Sequence, residues 1–516
     1  MNEKPKAKWY WRLLRWGLIG VAVIITLAAI LVTEENWRSK RDWENYQRAA
    51  EARGESFDLA SLVPPVPNDQ NFFCAPIVAD ALNAMRNWNP NSSQPQGTNS
   101  INRMEFDIYR GDSELWPTDY GNWQKGKLTD LKPWQHYFRN FAFTPAGKTN
   151  GFPIAPQPQE PAADVLLALS NFNPALEELR QASLRPYARI PLHYENGFDS
   201  AGELLPWLAT IKRCAQFLQL RILVELEAGQ SEAALADMKL LFRVTDSVLK
   251  QPFLISQLVR IAMTAICIQP IYEGLAQHRW SDAQLVELEQ VLAGQDYLAD
   301  YEFAMRGEKM TAVATFEKQR LTREMKYDDD SSGTNKIVTV SFRFMPSAYF
   351  YQNKLAFAQM DDRFIMPLVD LTNRVVAPAA LRKTLEALQA QMKHCFWPYK
   401  AQAVMALPAI SACVMKVARI QSQVDLARTA CALERFRLAH GNYPETLAAL
   451  APQFIENLPH DIINGQPLHY RRTDDGRFVL YSVGWDETDD GGKIFFTKTG
   501  SVDNKKGDWV WQYSNR

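Results

Sequence analysis

Asp425-Leu-Ala-Arg-Thr-Ala-Cys-Ala-Leu-Glu-Arg-Phe-Arg-Leu-Ala-His440 contains neither Gly nor Pro, and its apolar residues recur at steps of three and four. Leu426, Ala430, Leu433 and Phe436 form one stripe, while Arg428, Glu434 and Arg437 largely face elsewhere. This spacing predicts an amphipathic helix. Gly441 follows where a left-handed C-terminal cap is expected. Pro444 then opens a short second helix over 445–450, because Pro is tolerated in a first helical turn. Beyond it lie a turn at Asn464-Gly465 and alternating segments over 467–472 and 477–483. Asp475-Gly476 between them is a tight hairpin signal. An acidic, Gly-rich loop, 486–492, leads to a strand-like segment over 493–498, and the chain closes on Gly507-Asp-Trp-Val-Trp511. The last 90 or so residues therefore read as a helix followed by a small sheet.

Upstream of this end the text is helical from Ala162. Candidate helices span 162–184, 202–228, 231–250, 252–277 and 281–323, with Ser231 and Ser281 as N-caps. Residues 253–275 are strongly apolar, but Gln257, Arg260 and Gln269 interrupt them, which predicts a buried core helix rather than a membrane span. The acids of 328–333 read as a solvated loop, and 338–344 alternates like a short strand. Helices resume over 347–370 and 373–394, and a third stretch, 398–440, is expected to break or bend at Pro408.

The opposite end places the chain. Residues 16–33 form an uncharged, mostly apolar run, close to the roughly 20 residues needed to cross a bilayer. Trp9, Tyr10, Trp11 and Trp16 stand as an aromatic belt, and Lys4, Lys6, Lys8, Arg12 and Arg15 precede the run. These features predict an uncleaved single-pass inner-membrane anchor with its N-terminus in the cytoplasm and the rest of the chain periplasmic or otherwise outside. A cleaved signal peptide is the alternative reading. Residues 34–61 read as a helical stalk, and 62–161 as an irregular arm rich in Pro, Gly and aromatics, among them Trp88, Trp116, Trp123, Trp134, Tyr137 and Phe138. Such aromatics either bind glycan or peptide, or staple the arm to its core. The predicted organisation is mainly α: anchor (1–33), stalk (34–61), arm (62–161), a large irregular helical domain (162–424) and a small α+β domain (425–516).

Net charge is −1 over 516 residues, which gives no global electrostatic case for nucleic acid. None of the six cysteines forms a Cys-x-x-Cys pair, and most sit in apolar helical text as expected of buried thiols. No two of the seven histidines have zinc spacing, and no nucleophile elbow occurs. Gly121 to Leu128 has P-loop spacing, yet Leu128 stands where a magnesium-binding hydroxyl is needed. His193-Tyr194-Glu195, near Arg185 and Arg189, is the most polar knot of the body and reads as an interhelical network.

One resemblance stands out. A long helix is followed by His440-Gly-Asn-Tyr-Pro444, Leu458-Pro459-His-Asp461, Gly465-Gln-Pro467-Leu-His-Tyr470 and Tyr481-Ser-Val-Gly484-Trp-Asp486. This order resembles the soluble domain of the major pseudopilin of type II secretion systems. The chain departs from that family in having some 390 residues between anchor and module and no pilin processing pattern at its N-terminus. The resemblance implies a helix packed on a small antiparallel sheet, pilin-like or secretion-system partners, and calcium bound in the loop after Ser482-Val-Gly484-Trp-Asp486. Calcium takes about six to eight oxygen ligands, often several carboxylates. Asp486, Asp489, Asp490 and Asp508 are the candidates, with a plain acidic turn as the competing reading. The function expected is structural or interaction-based, without a recognisable catalytic motif. The alternatives are an envelope hydrolase with its site between arm and body, or a glycan- or peptide-binding protein using the arm.

Overall fold

The computed structural model describes residues 7–86, 102–110, 116–117, 120–142, 144, 151–194, 198–323, 342–393 and 401–513. The protein is mainly helical, with small antiparallel sheets near its C-terminus. The first helix, α1 (Ala7–Ala52), is continuous over 46 residues, so the apolar run and the predicted stalk are one element. Residues 9–34 are exposed on every side, whereas Ser39, Trp43 and Ala50 are buried. The stalk is therefore docked. The arm contributes α2 (Pro76–Arg86) and α3 (Lys132–Ala142). The body follows as α4 (Pro161–Leu169), α5 (Asn173–Ser183), α6 (Phe198–Glu227), α7 (Ser231–Asp246), α8 (Leu254–Ala276), α9 (Asp282–Ala293) and α10 (Tyr297–Thr322). Then come α11 (Ser347–Met360), α12 (Pro378–Lys393) and α13 (Ala401–His440).

Several boundaries differ from expectation. The segment 281–323 is two helices, because Gly294-Gln295 ends α9 and the Asp296 carboxylate accepts from the Ala299 N–H to start α10. Ser281 caps α9 in a capping box with Gln284, but Ser231 is the first residue of α7 rather than its cap. After α11 a single π turn, Asp361–Ile365, and a two-stranded ribbon of β1 (Val369–Asp370) and β2 (Val375–Val376) replace continuous helix. The helix α13 runs through Pro408 unbroken. Residues 342–343 are helical and Phe344 is a turn, not strand; the rest of the expected strand, 338–341, and the acidic loop 328–333 lie outside the described residues.

The core is organised on α13, which packs against α8, α9, α10 and α11. It is buried on more than the predicted stripe. Leu426, Ala430 and Leu433 are fully buried, and so are Asp425, Thr429 and Glu434. Burial alone would raise Glu434, but Arg437, His278 and Tyr443 outweigh it and hold the carboxyl below its usual range. The apolar α8 is likewise a core helix: Arg260 within it is buried and donates to Asp246 at 3.0 Å and to Asp300.

Gly441 adopts the left-handed conformation and closes α13, its N–H reaching the Arg437 carbonyl at 2.7 Å. A 3-10 turn, Leu447–Leu450, stands for the short helix. The sheet comprises β3 (His469–Arg472), β4 (Phe478–Ser482) and β7 (Trp509–Gln512), antiparallel in the order β3-β4-β7, with the hairpin at Asp475-Gly476. A separate ribbon pairs β5 (Ile494–Phe496) with β6 (Val502–Gly507), a strand with no sequence signal. Phe478, Leu480 and Trp511 join the same apolar core as α13. Cys214, Cys267, Cys413 and Cys431 are buried free thiols, Cys74 is half-buried, and Cys395 lies outside the described residues.

Candidate functional site

The four candidate metal ligands fall in one region, and the carboxylates of Asp486, Asp489 and Asp508 accept hydrogen bonds from within it. Asp508 is buried, and its carboxylate accepts from the backbone N–H groups of Gly492 (2.7 Å), Asp490 (3.3 Å) and Lys493 (3.3 Å). Burial lifts this carboxyl above its usual range despite those donors. Asp486 accepts from Gly507 N–H at 2.9 Å and from Thr488 N–H. Asp489 accepts from Gly491 N–H and from the Tyr481 hydroxyl, and His469 lies 3.5 Å away. Calcium needs converging oxygens. Here backbone N–H donors converge on Asp508. Among the described residues no group of three or more His, Cys, Asp or Glu side chains is placed to hold a metal.

The arm is stapled into the core. Trp123, Trp134, Tyr137 and Phe138 are buried, so none of these rings offers a face to a glycan; Trp88 lies outside the described residues. The Trp123 ring meets Trp511 of β7 at 5.2 Å, and Trp511 meets Tyr272 of α8 at 5.4 Å. The P-loop-like segment is the wedge that carries Trp123. Its backbone is closed by Asn122 and Lys127, and the Trp123 N–H donates to Gln269 at 2.6 Å. Arg185 donates to the carbonyls of Asn68 and Asn71, Arg189 to that of Val63, and Tyr194 to Gln251. Of the expected knot, Arg185, Arg189 and Tyr194 thus form a network, whereas His193 is exposed and lies 3.8 Å from Glu203, and Glu195 is outside the described residues.

Two clefts bring titratable groups together. The first, about 630 Å³, lies where the arm meets α6 and α8. Its floor is Glu273, whose Oε1 accepts from Thr129 N–H (3.0 Å), Thr129 Oγ1 (2.6 Å) and Gln269 Nε2 (2.7 Å). All three bonds fall on one oxygen. Burial pushes the carboxyl up to about 7 against those donors, and Glu227, also lining the cleft, adds to the rise. Leu223, Leu226 and Pro161 supply apolar wall. A carboxyl that gains and loses its proton near neutrality beside a second carboxylate can act as a general acid or base. Periodicity could not show it, because Thr129, Glu227 and Glu273 come from three distant segments.

The second cleft, about 900 Å³, opens between the end of α1 and the π turn after α11. Lys309 of α10 is buried there and donates to Glu55 and Asp362 at 2.7 Å each, while Tyr46 donates to Asp362 at 2.7 Å. Asp361 is buried behind this cluster, and neither of its carboxylate oxygens has a hydrogen-bond partner. Burial pushes Asp361 up to about 7, against the attraction of Lys309 at 3.8 Å. No protein-family model, curated protein or solved structure matches the chain.

Proposed function

We propose that the protein is a single-pass, membrane-anchored bacterial envelope protein with a structural or interaction role, associated with a type II secretion or pilus-like assembly. The observation that carries this reading is α1. Residues 9–34 have no protein cover on any face, their mean hydropathy peaks at 2.5, and the same helix continues into the packed body. A bilayer is the environment that such a surface fits. The basic residues before the run favour a cytoplasmic N-terminus and a body outside the inner membrane. The partner class rests on the pseudopilin-like order of motifs, together with a helix-on-sheet arrangement of α13 and β3-β4-β7. The same resemblance is the basis for calcium at Asp486, Asp489, Asp490 and Asp508.

Affinity capture of the full chain from gently solubilised native membranes, in millimolar calcium and in EDTA, tests the reading. Recovery of secretion or pilus components is expected. Recovery of none of them would overturn the partner class. Weaker recovery in EDTA would support calcium at that loop.

A second reading, an envelope hydrolase, is favoured by the Glu273 cleft between arm and body. It expects the purified protein to cleave labelled glycan or peptide polymers, and Glu273→Gln to abolish cleavage while the protein stays folded. A wild-type protein inert on both polymer classes would sink it.

A further inference from the structure

Three helices descend side by side toward the end of the apolar run. α11 runs parallel to α1. The Ala348 N–H donates to Asn36 Oδ1 at 2.7 Å, Gln352 to Ser39 at 3.0 Å, and the Lys354 ammonium lies 4.6 Å over the Trp43 ring. Tyr46 and Asp362 meet farther up. α10 runs the other way. Its Lys309 reaches Glu55 at the upper end, its Glu317 meets Lys354 midway, and Arg323 just past its last turn donates to the Met345 carbonyl and to Ser347. The C-terminal end of α10 and the chain entering α11 therefore lie at the level of Asn36.

That level is set by helix geometry. Asn36 is three residues past Thr33, so at 1.5 Å per residue it stands about 5 Å beyond the apolar run. The headgroup layer on each side of the hydrocarbon is roughly 5–7 Å thick. At this height three large apolar side chains face outward from three different elements: Trp37 is 62% exposed, Leu321 68% and Phe344 82%. Single exposed apolar residues are ordinary. Three at the level where a membrane-spanning segment ends are not a random scatter. Arg343 is exposed next to Phe344, and Arg41 lies over the Trp37 ring at 5.4 Å. Trp and apolar side chains interleaved with basic groups suit the boundary between acyl chains and phosphates.

We propose that the lower end of the α1–α10–α11 bundle is a second membrane contact. Trp37, Leu321 and Phe344 enter the interface of the leaflet from which α1 emerges, and Arg343 faces lipid phosphate. The body is then seated on the bilayer rather than held away from it. This inference rests on reading α1 as a membrane span.

The test places a photoreactive benzoylphenylalanine singly at Val23, Phe344 or Leu184 of the full chain in phospholipid nanodiscs, with lipid adducts read by mass spectrometry after irradiation. Leu184 is the control: it is 75% exposed and apolar, but it sits beside Arg185, which binds Asn68, on the chain past the C-terminal end of α1. Adducts are expected at Val23 and Phe344 and not at Leu184. Adducts at Val23 alone would overturn the second contact and leave the span standing. Adducts at none of the three would remove the span as well.

Discussion

At the scale of single residues, the most consequential groups are buried carboxyls that face too few partners. Asp361 is the extreme case, with two oxygens lacking hydrogen bonds beside Lys309. Its folded pKa is raised from 3.8 to about 7, so between those values the native state binds more proton than the unfolded chain. Stability from this group is then fully present below the unfolded value and falls as pH rises toward 7. Asp361→Asn abolishes that dependence. Relative to wild type, the variant should gain roughly 2–3 kcal/mol between pH 5 and pH 8, at about 1.4 kcal/mol per unit. Denaturant melts of both proteins at the two pH values check this, and parallel profiles would contradict it. No reading of the sequence could rank Asp361 above its neighbour Asp362, because their difference is burial: Asp361 is enclosed, whereas Asp362 is half-buried and reaches Lys309 and Tyr46. Glu273 was hidden for the same reason. The acidic loop was legible as a cluster, yet its chemistry was not: whether Asp508 meets N–H donors or a cation depends on how the loop closes onto β7.

At the scale of elements, periodicity located most helices but not what surrounds them. The 425–440 pattern predicts a one-sided helix, whereas α13 buries Glu434 because His278, just past α8, and the Tyr443 turn cover its far side. Proline misled at position 408, where α13 continues, just as α6 holds Pro206 and α8 holds Pro270 within their helices. Packing on neighbours compensates for the lost bond in such helices. The break at 294–296 has a local signal, Gly294 followed by the capping Asp296, set within a long helical pattern. Close approach was also invisible. A Cβ at Gly307 would lie 2.1 Å from the Pro252 carbonyl oxygen, so this glycine lets α10 press against the start of α8. In the sequence it is simply a poor helix former.

At the scale of the whole molecule, arm, body and C-terminal module share one apolar core. The Trp123–Trp511–Tyr272 cluster joins a residue from each. Lys125 of the arm also donates to the Gly500 carbonyl at 2.6 Å, and Arg419 of α13 to Gln124 at 2.7 Å. The C-terminal module is thus packed into the body rather than set apart from it. The claim that everything else depends on is that α1 crosses a bilayer and leaves the body outside. It is tested most directly by protease accessibility of tags on both ends of the full chain in sealed right-side-out membrane vesicles. The account predicts that the C-terminal tag is removed by external protease, while the N-terminal tag survives until the vesicles are opened. Protection of the C-terminal tag, or loss of the N-terminal tag from sealed vesicles, would contradict it.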